Sequence, residues 1–346
     1  MNILNKIKNK WDFSKSVEQN TIYFNTRENQ EKKARKKMLF YSLIVIAVAM
    51  FFNNPLLGMA MIIGAITYGS EYVFNSAVTE YVSVSALDST HFVVVYKDGG
   101  NSSYGTAIVG TISGTTISYG SEYTFRSGNT EHISVSTLDS THFVVSYLYS
   151  AAGYSVIGVV SSGDTITFGT TYQFISTSIS EISVTALDST HFAVAFKDAV
   201  ASNYGNSFIG VVSSGDVISY GSKYTFNAAA IAQTAIAALD STHFVIAFVD
   251  SGNSSYGTAI IGVVSSGDVI TYGSEYVYVS GWTGRKAVTA LDSTHFVVVD
   301  IDGANSYYAF AAVGVVSSGD TITYGSKYTY KEAGYGYISV SALDST

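Results

Sequence analysis

Residues 132–174 read HISVSTLDSTHFVVSYLYSAAGYSVIGVVSSGDTITFGTTYQF, and the pattern of this stretch decides the fold. HISVSTL (132–138) alternates, with Ile133 and Val135 on one side and Ser134 and Ser136 on the other, the period of a half-buried strand. THFVVSY (141–147) is a nearly continuous apolar run, expected of a strand covered on both faces. YSVIGVVSS (154–162) forms a third strand and TITFGTTYQF (165–174) a fourth, in which Ile166, Phe168, Tyr172 and Phe174 at even spacing predict an aromatic ladder on one face. Turn sequences separate the four: LDS, a Gly/Ser loop and SSGD.

The stretch is one copy of a repeat. LDSTHF recurs at 87–92, 138–143, 187–192, 239–244 and 291–296, and LDST returns at 343–346. The turn aspartates are Asp88, Asp139, Asp188, Asp240, Asp292 and Asp344, spaced 51, 49, 52, 52 and 52 residues apart. Four antiparallel strands in each period of roughly 40–50 residues, repeated in tandem, predict an all-β chain of stacked sheets in which each unit covers its neighbour's faces. In this respect residues 65–346 resemble β-propeller repeat proteins, with four-stranded blades. The Trp-Asp dipeptide of WD40 repeats and the paired glycines of kelch repeats are absent. SSGDTITYG (317–325) lies where sialidase Asp-boxes lie but departs from their pattern, so no sialidase residue is carried over.

The count gives a fourth strand at 65–74, five complete units over 80–330 and a lone first strand at 337–343. The expectation is a chain cut short of a sixth blade, the natural product having six or more; a five-bladed ring with spare terminal strands is the alternative.

The 346 residues contain 13% charged side chains, 27 Tyr, 19 Phe and one Pro. With no cysteine, disulfides, thiolate metal sites and a cysteine nucleophile are excluded. The net charge of −8 divides unevenly: residues 1–38 carry +6 and residues 39–346 carry −14. The large acidic part has no basic face for phosphates, which argues against nucleic-acid binding.

Residues 1–37 are polar and end in EKKARKK (31–37); residues 38–64 are hydrophobic. A span needs about 20 apolar residues, and 38–60 supplies them if Asn53 and Asn54 lie near the far interface. The basic cluster predicts a cytoplasmic N-terminus and a propeller outside the cell, held by a signal anchor. A cleaved signal peptide, giving a secreted protein, is the second reading. The third is that GMAMIIGAITYG (58–69), which matches GVVSSGDTITFG (158–169) in length and ending, is a repeat strand.

The turns after the first and third strands are nearly fixed, and in a four-strand meander they share one end. The loops after the second and fourth strands vary and share the other: KDGGNSSYG (97–105), LYSAAGYS (148–155) and DIDGANSYY (300–308) after the second, NSAVTEY (75–81), RSGNTEH (126–132), ISTSISE (175–181), NAAAIAQ (227–233) and VSGWTGRK (279–286) after the fourth. Function is expected on the variable end.

Asp, Ser, Thr and His together in LDSTHF suggest a catalytic cluster, but adjacent turn residues diverge, and five copies fit poorly with one active site. His91, His142, His191, His243 and His295 therefore read as turn chemistry, with a ring of weak metal or proton-sensing sites as the alternative. Asp300, Asp302 and Asn305 in DIDGANS resemble a calcium loop without its spacing, so calcium is the one cofactor considered. Trp282, Arg285 and Lys286 have no counterparts in other copies; a Trp on the variable face can stack on a sugar, with the two cations hydrogen-bonding it. His132, Tyr104, Tyr204, Tyr256 and Tyr335 are candidates on the same grounds. NSS at Asn101 and Asn253 matches the glycosylation acceptor pattern. The expectation is a non-enzymatic binding or adhesion module for glycan or surface protein. A structural surface component is the alternative, and a polysaccharide-active enzyme comes third.

Overall fold

The computed structural model describes residues 69–318, 320–331 and 338–343. The basic segment 1–37 and the hydrophobic segment 38–64 lie outside these residues. No helix among the described residues is long and apolar enough to cross a membrane.

The first blade comprises β1 (Thr79–Ala86), β2 (His91–Asp98), β3 (Tyr104–Ser113), β4 (Thr116–Tyr119) and β5 (Tyr123–Arg126). The second comprises β6 (Thr130–Thr137), β7 (His142–Tyr149), β8 (Ala152–Ser161), β9 (Thr165–Phe168) and β10 (Tyr172–Ile175). The third comprises β11 (Ile179–Ala186), β12 (His191–Asp198), β13 (Tyr204–Ser213), β14 (Val217–Tyr220) and the start of β15 (Tyr224–Ala238). The end of β15 opens the fourth blade, which continues through β16 (His243–Asp250), β17 (Tyr256–Ser265), β18 (Val269–Tyr272) and β19 (Tyr276–Val279). The fifth comprises β20 (Ala287–Ala290), β21 (His295–Asp302), β22 (Tyr308–Ser317), β23 (Thr321–Tyr324) and β24 (Tyr328–Lys331). Every pairing is antiparallel between sequence neighbours, except that the fifth piece of each blade returns to the third strand, as β5 pairs with β3.

The fourth strand is thus two short pieces on one third strand, interrupted at Gly120, Gly169, Gly221 and Gly273 in the first four blades. The next blade explains the fixed glycine: a Cβ on Gly169 would lie 3.2 Å from the Asp216 Cβ. The interruption also corrects the single-faced aromatic ladder. Ile166 and Phe168 pack toward the first blade, whereas Tyr172 and Phe174 pack toward the third. Even spacing keeps one face only along an unbroken strand.

The blades stack face to face, because alternate residues of each second strand serve opposite interfaces. Phe143, Val145 and Tyr147 meet the first blade, and Val144 meets the third. Each third strand admits a large ring by carrying glycine opposite it: Phe143 pairs in register with Gly158, whose missing Cβ would lie 2.2 Å from the ring.

First strands pack on one another from blade to blade more extensively than fourth strands do, which places the first strands innermost around a common axis. Their Ser and Thr side chains complete the contact. Ser83 Oγ accepts from the Val135 backbone N–H at 3.2 Å, Ser134 Oγ from Val184 at 3.1 Å, and Ser183 Oγ from Ile236 at 3.3 Å. The series stops at the fourth blade, where Ala235 and Ala237 offer no acceptor.

The expected strands at 65–74 and 337–343 form no ladder within the described residues 69–74 and 338–343. Phe74 nevertheless seats on Tyr96 with centroids 5.2 Å apart, matching Phe125 on Tyr147 at 5.2 Å. Val84, in the first blade, is 59% exposed, whereas its counterparts Val135 and Val184 are 7% and 5% exposed. The difference follows from the absence of a preceding blade among the described residues.

Candidate functional site

The uniform end is built from one repeated turn. Asp88 Oδ1 accepts the Thr90 N–H at 2.6 Å, the Thr90 hydroxyl at 2.8 Å and the His91 N–H at 2.8 Å, while Asp88 Oδ2 lies 2.9 Å from His91 Nδ1. Asp139, Asp188, Asp240 and Asp292 repeat this arrangement. Hydrogen bonds from Thr90, the backbone one foremost, hold the Asp88 carboxyl well below the ordinary range. At Asp139 partial burial pushes upward, but the bonds from Thr141 and His142 prevail and hold it at about 2. The other ring nitrogen reaches the SSGD turn of the next blade: His91 Nε2 lies 3.9 Å from Asp164, His142 Nε2 3.9 Å from Asp216 and His191 Nε2 3.8 Å from Asp268. With His243 Nε2 4.0 Å from Asp320, the first four of these histidines lie between two carboxylates as cross-blade ties, and His295 faces Asp292 of its own turn. Among the described residues no group of three His, Cys, Asp or Glu is placed to hold a metal.

The variable end contains a feature that sequence reasoning missed. The pairing of β1 with β2 skips between Glu80 and Ser83, so Tyr81 and Val82 form a bulge, and the same shift occurs at Glu131/Ser134, Ser180/Ser183 and Ala232/Ala235. The first bulge residue is left-handed in four blades: Tyr81 (φ 51°), His132 (47°), Glu181 (57°) and Gln233 (52°). Arg285 occupies the equivalent place in the fifth. Five copies thus present five different side chains on the innermost strands. The visible signal was this one column, variable in every copy and directly followed by a nearly constant strand.

These side chains meet from blade to blade. The Tyr81 and His132 rings lie 5.3 Å apart. Burial pushes the His132 imidazole down, against the opposing charges of Glu181 and Glu131. Lys197 Nζ lies 3.9 Å from Glu181, and Lys97 Nζ lies 2.9 Å from Glu80. The amide oxygen of Gln233 is closed off from solvent and accepts from no donor in the structure.

The sequence candidates divide. His132 and Arg285 belong to this ring. Trp282 is 48% exposed, lies across Gly303 and meets the Tyr307 ring edge-on at 5.8 Å, within the loops of its own blade. Tyr104, Tyr204 and Tyr256 begin third strands, half-buried and two strands away from the axis. Tyr335 and Asp344 lie outside the described residues. Lys286 cannot serve a surface ligand, because its side chain is 0% exposed and lies 3.4 Å from the equally buried Asp300. Of the residues considered for calcium, Asp300 is engaged by Lys286 and by the Tyr278 hydroxyl at 2.6 Å, and Asp302 by Lys327 at 2.7 Å. Asn305 contributes its backbone N–H to the Asp302 carbonyl, closing a turn.

No protein-family model matches the chain, and no characterised protein matches it by sequence. Solved structures match the fold. A protein from Lactobacillus plantarum superposes with a TM-score of 0.51 at 12% identity, over 71% of this chain and 70% of the other. AofleA from Arthrobotrys oligospora gives 0.50 at 10% identity, over 75% and 74%. A protein of unknown function from Dyadobacter fermentans DSM 18053 gives 0.51 at 11% identity, over 77% and 88%. Together with the sheet topology, these likenesses define an all-β, β-propeller-like protein.

Proposed function

We propose that the chain is a recognition module that binds glycan or surface protein through its variable end, displayed outside the cell by residues 38–60 as a membrane anchor. One observation carries this reading: near-copies preserve the turns, the stacking rings and the cross-blade ties, yet present a different side chain at each innermost bulge. Backbone strain retained at one end of a rigid scaffold is a recurrent mark of ligand sites. The basic segment before the hydrophobic run supports the orientation.

The test is binding of the full chain, in detergent, to a glycan array and to intact cell surfaces. Saturable binding to either supports recognition. Absence of binding to both favours a structural surface component, and turnover of an arrayed polysaccharide would replace both readings with an enzyme.

A further inference from the structure

The axial ring has a chemistry of its own. We propose that Tyr81, His132, Glu181, Gln233 and Arg285 form one binding site at the axis, taking a single uncharged saccharide residue per chain. This site rests on the reading of the variable end as a recognition surface.

The first support is the distribution of differences. A bulge needs no particular side chain, and glycine would adopt its left-handed conformation without penalty. Four blades nevertheless hold Tyr, His, Glu and Gln there, each in a backbone conformation that strains a non-glycine residue. A purely structural bulge would be expected to repeat one residue, as the LDST turn does.

Proximity is the second support. Tyr81 touches His132, and His132 feels the charge of Glu181. The same Glu181 acts electrostatically on Lys286 of the fifth blade. Thr234, next to Gln233, donates its hydroxyl to the Glu181 carbonyl, so ring residues of the first four blades follow one another from blade to blade, which one ligand can bridge.

The third support is the kind of groups. Lys97 pairs with Glu80 at 2.9 Å and Lys197 with Glu181 at 3.9 Å, and Arg285 and Glu131 add one charge of each sign. Burial pushes the His132 imidazole toward its neutral form. No excess charge remains to select an ion. A carboxylate, an amide, a guanidinium and an imidazole can each take or give hydrogen bonds to adjacent hydroxyls. Tyr81 supplies the ring's one phenol, an aromatic surface of the kind that packs on the C–H side of a sugar. The enclosed amide oxygen of Gln233 lacks a donor that a ligand hydroxyl would supply.

The fourth concerns number. A ring of unlike residues on one axis makes one site, whereas sites built from repeated loop residues such as Tyr104, Tyr204 and Tyr256 would recur from blade to blade.

The experiment is calorimetric and saturation-transfer NMR titration of the full chain with a neutral hexose, an N-acetylhexosamine and a hexuronic acid. The expected result is one site per chain for a neutral sugar. Glu181→Gly and Gln233→Gly are each expected to weaken it about tenfold or more without lowering the melting temperature, since glycine accepts the backbone geometry. Arg285→Ala should weaken it as well, and Trp282→Ala should leave it unchanged. Several sites per chain, or affinity indifferent to the ring variants, would overturn the axial site while leaving recognition standing. Preference for the hexuronic acid would overturn the uncharged class. No binding to the three sugars, with binding elsewhere on the array or to cells, would overturn the saccharide assignment alone. No binding anywhere would remove both readings.

Discussion

At the residue scale, the buried group of the fourth interface is the sharpest departure from the repeat. Phe174 meets Phe196 at 5.7 Å and Phe226 meets Phe248 at 5.2 Å, but the next interface places Tyr278 against Asp300. Lys286 then stands where Ile133 and Ile182 stand in earlier blades. Burial pushes Asp300 up to about 6, against the Lys286 charge and the Tyr278 hydrogen bond, and burial pushes Lys286 down. The cost of removing two charges from water rivals their attraction, whereas an isolated buried charge is strongly unfavourable. Replacing all three residues by their counterparts (Tyr278→Phe, Lys286→Ile, Asp300→Phe) should therefore be neutral or stabilising by about 1–4 kcal/mol in urea denaturation. Asp300→Ala alone should destabilise by about 3–5 kcal/mol. If the triple variant were as unstable as the single one, the trio would be stabilising in its own right. The sequence showed Lys286 as without a counterpart and Asp300 as part of a polar loop, but not that they share one interior contact. Strand register and blade stacking create that contact, which no local pattern around either residue encodes.

At the scale of elements, the four-strand unit could be read from alternation, apolar runs and turn residues, because each is a local consequence of a period of two. The break in the fourth strand could not. Tyr172 and Phe174 look continuous with Ile166 and Phe168, and only the approach of Asp216 to Gly169 shows why the chain must step aside there. The first-strand bulge escaped for a related reason: Tyr81 and Val82 add a residue to the strand without altering its composition. The serines were read correctly as one face of the first strand, but their partner, the backbone of the next blade, is about 50 residues away in sequence. Two tests belong here. Ser134→Ala leaves the Val184 N–H without its acceptor and should cost about 1 kcal/mol in chemical denaturation. Gly158→Ala drives a methyl into the Phe143 ring and should cost about 1–3 kcal/mol or more. A cost near zero for the alanine at 158 would mean that the ring has room to move, contrary to its full burial.

At the scale of the whole molecule, repetition turns a weak local device into a collective one. Asp88, Asp139, Asp188, Asp240 and Asp292 all titrate below the ordinary value of 3.8, because the turn donates hydrogen bonds to the ionised carboxylate. A depressed native pKa means that the unfolded chain binds more protons over the interval between the two values. The stabilisation is therefore complete above about pH 4 and is lost as pH falls toward the native value, about 2 for Asp139. With five turns acting together, the melting temperature should hold from pH 7 to 5 as far as these groups are concerned. It should then fall steeply between about pH 4 and 2. The chain's net charge of −8 pulls the other way, since acidification first relieves repulsion among carboxylates. Added salt separates the two: it screens long-range repulsion, but it does not replace a hydrogen bond inside a turn. Calorimetry of Asp139→Asn with Asp188→Asn in one chain should show a shallower acid fall than the unaltered protein, at low and high salt alike. An unaltered slope would mean that the turns carry no share of the acid sensitivity, and that the histidine ties and surface carboxylates govern it instead.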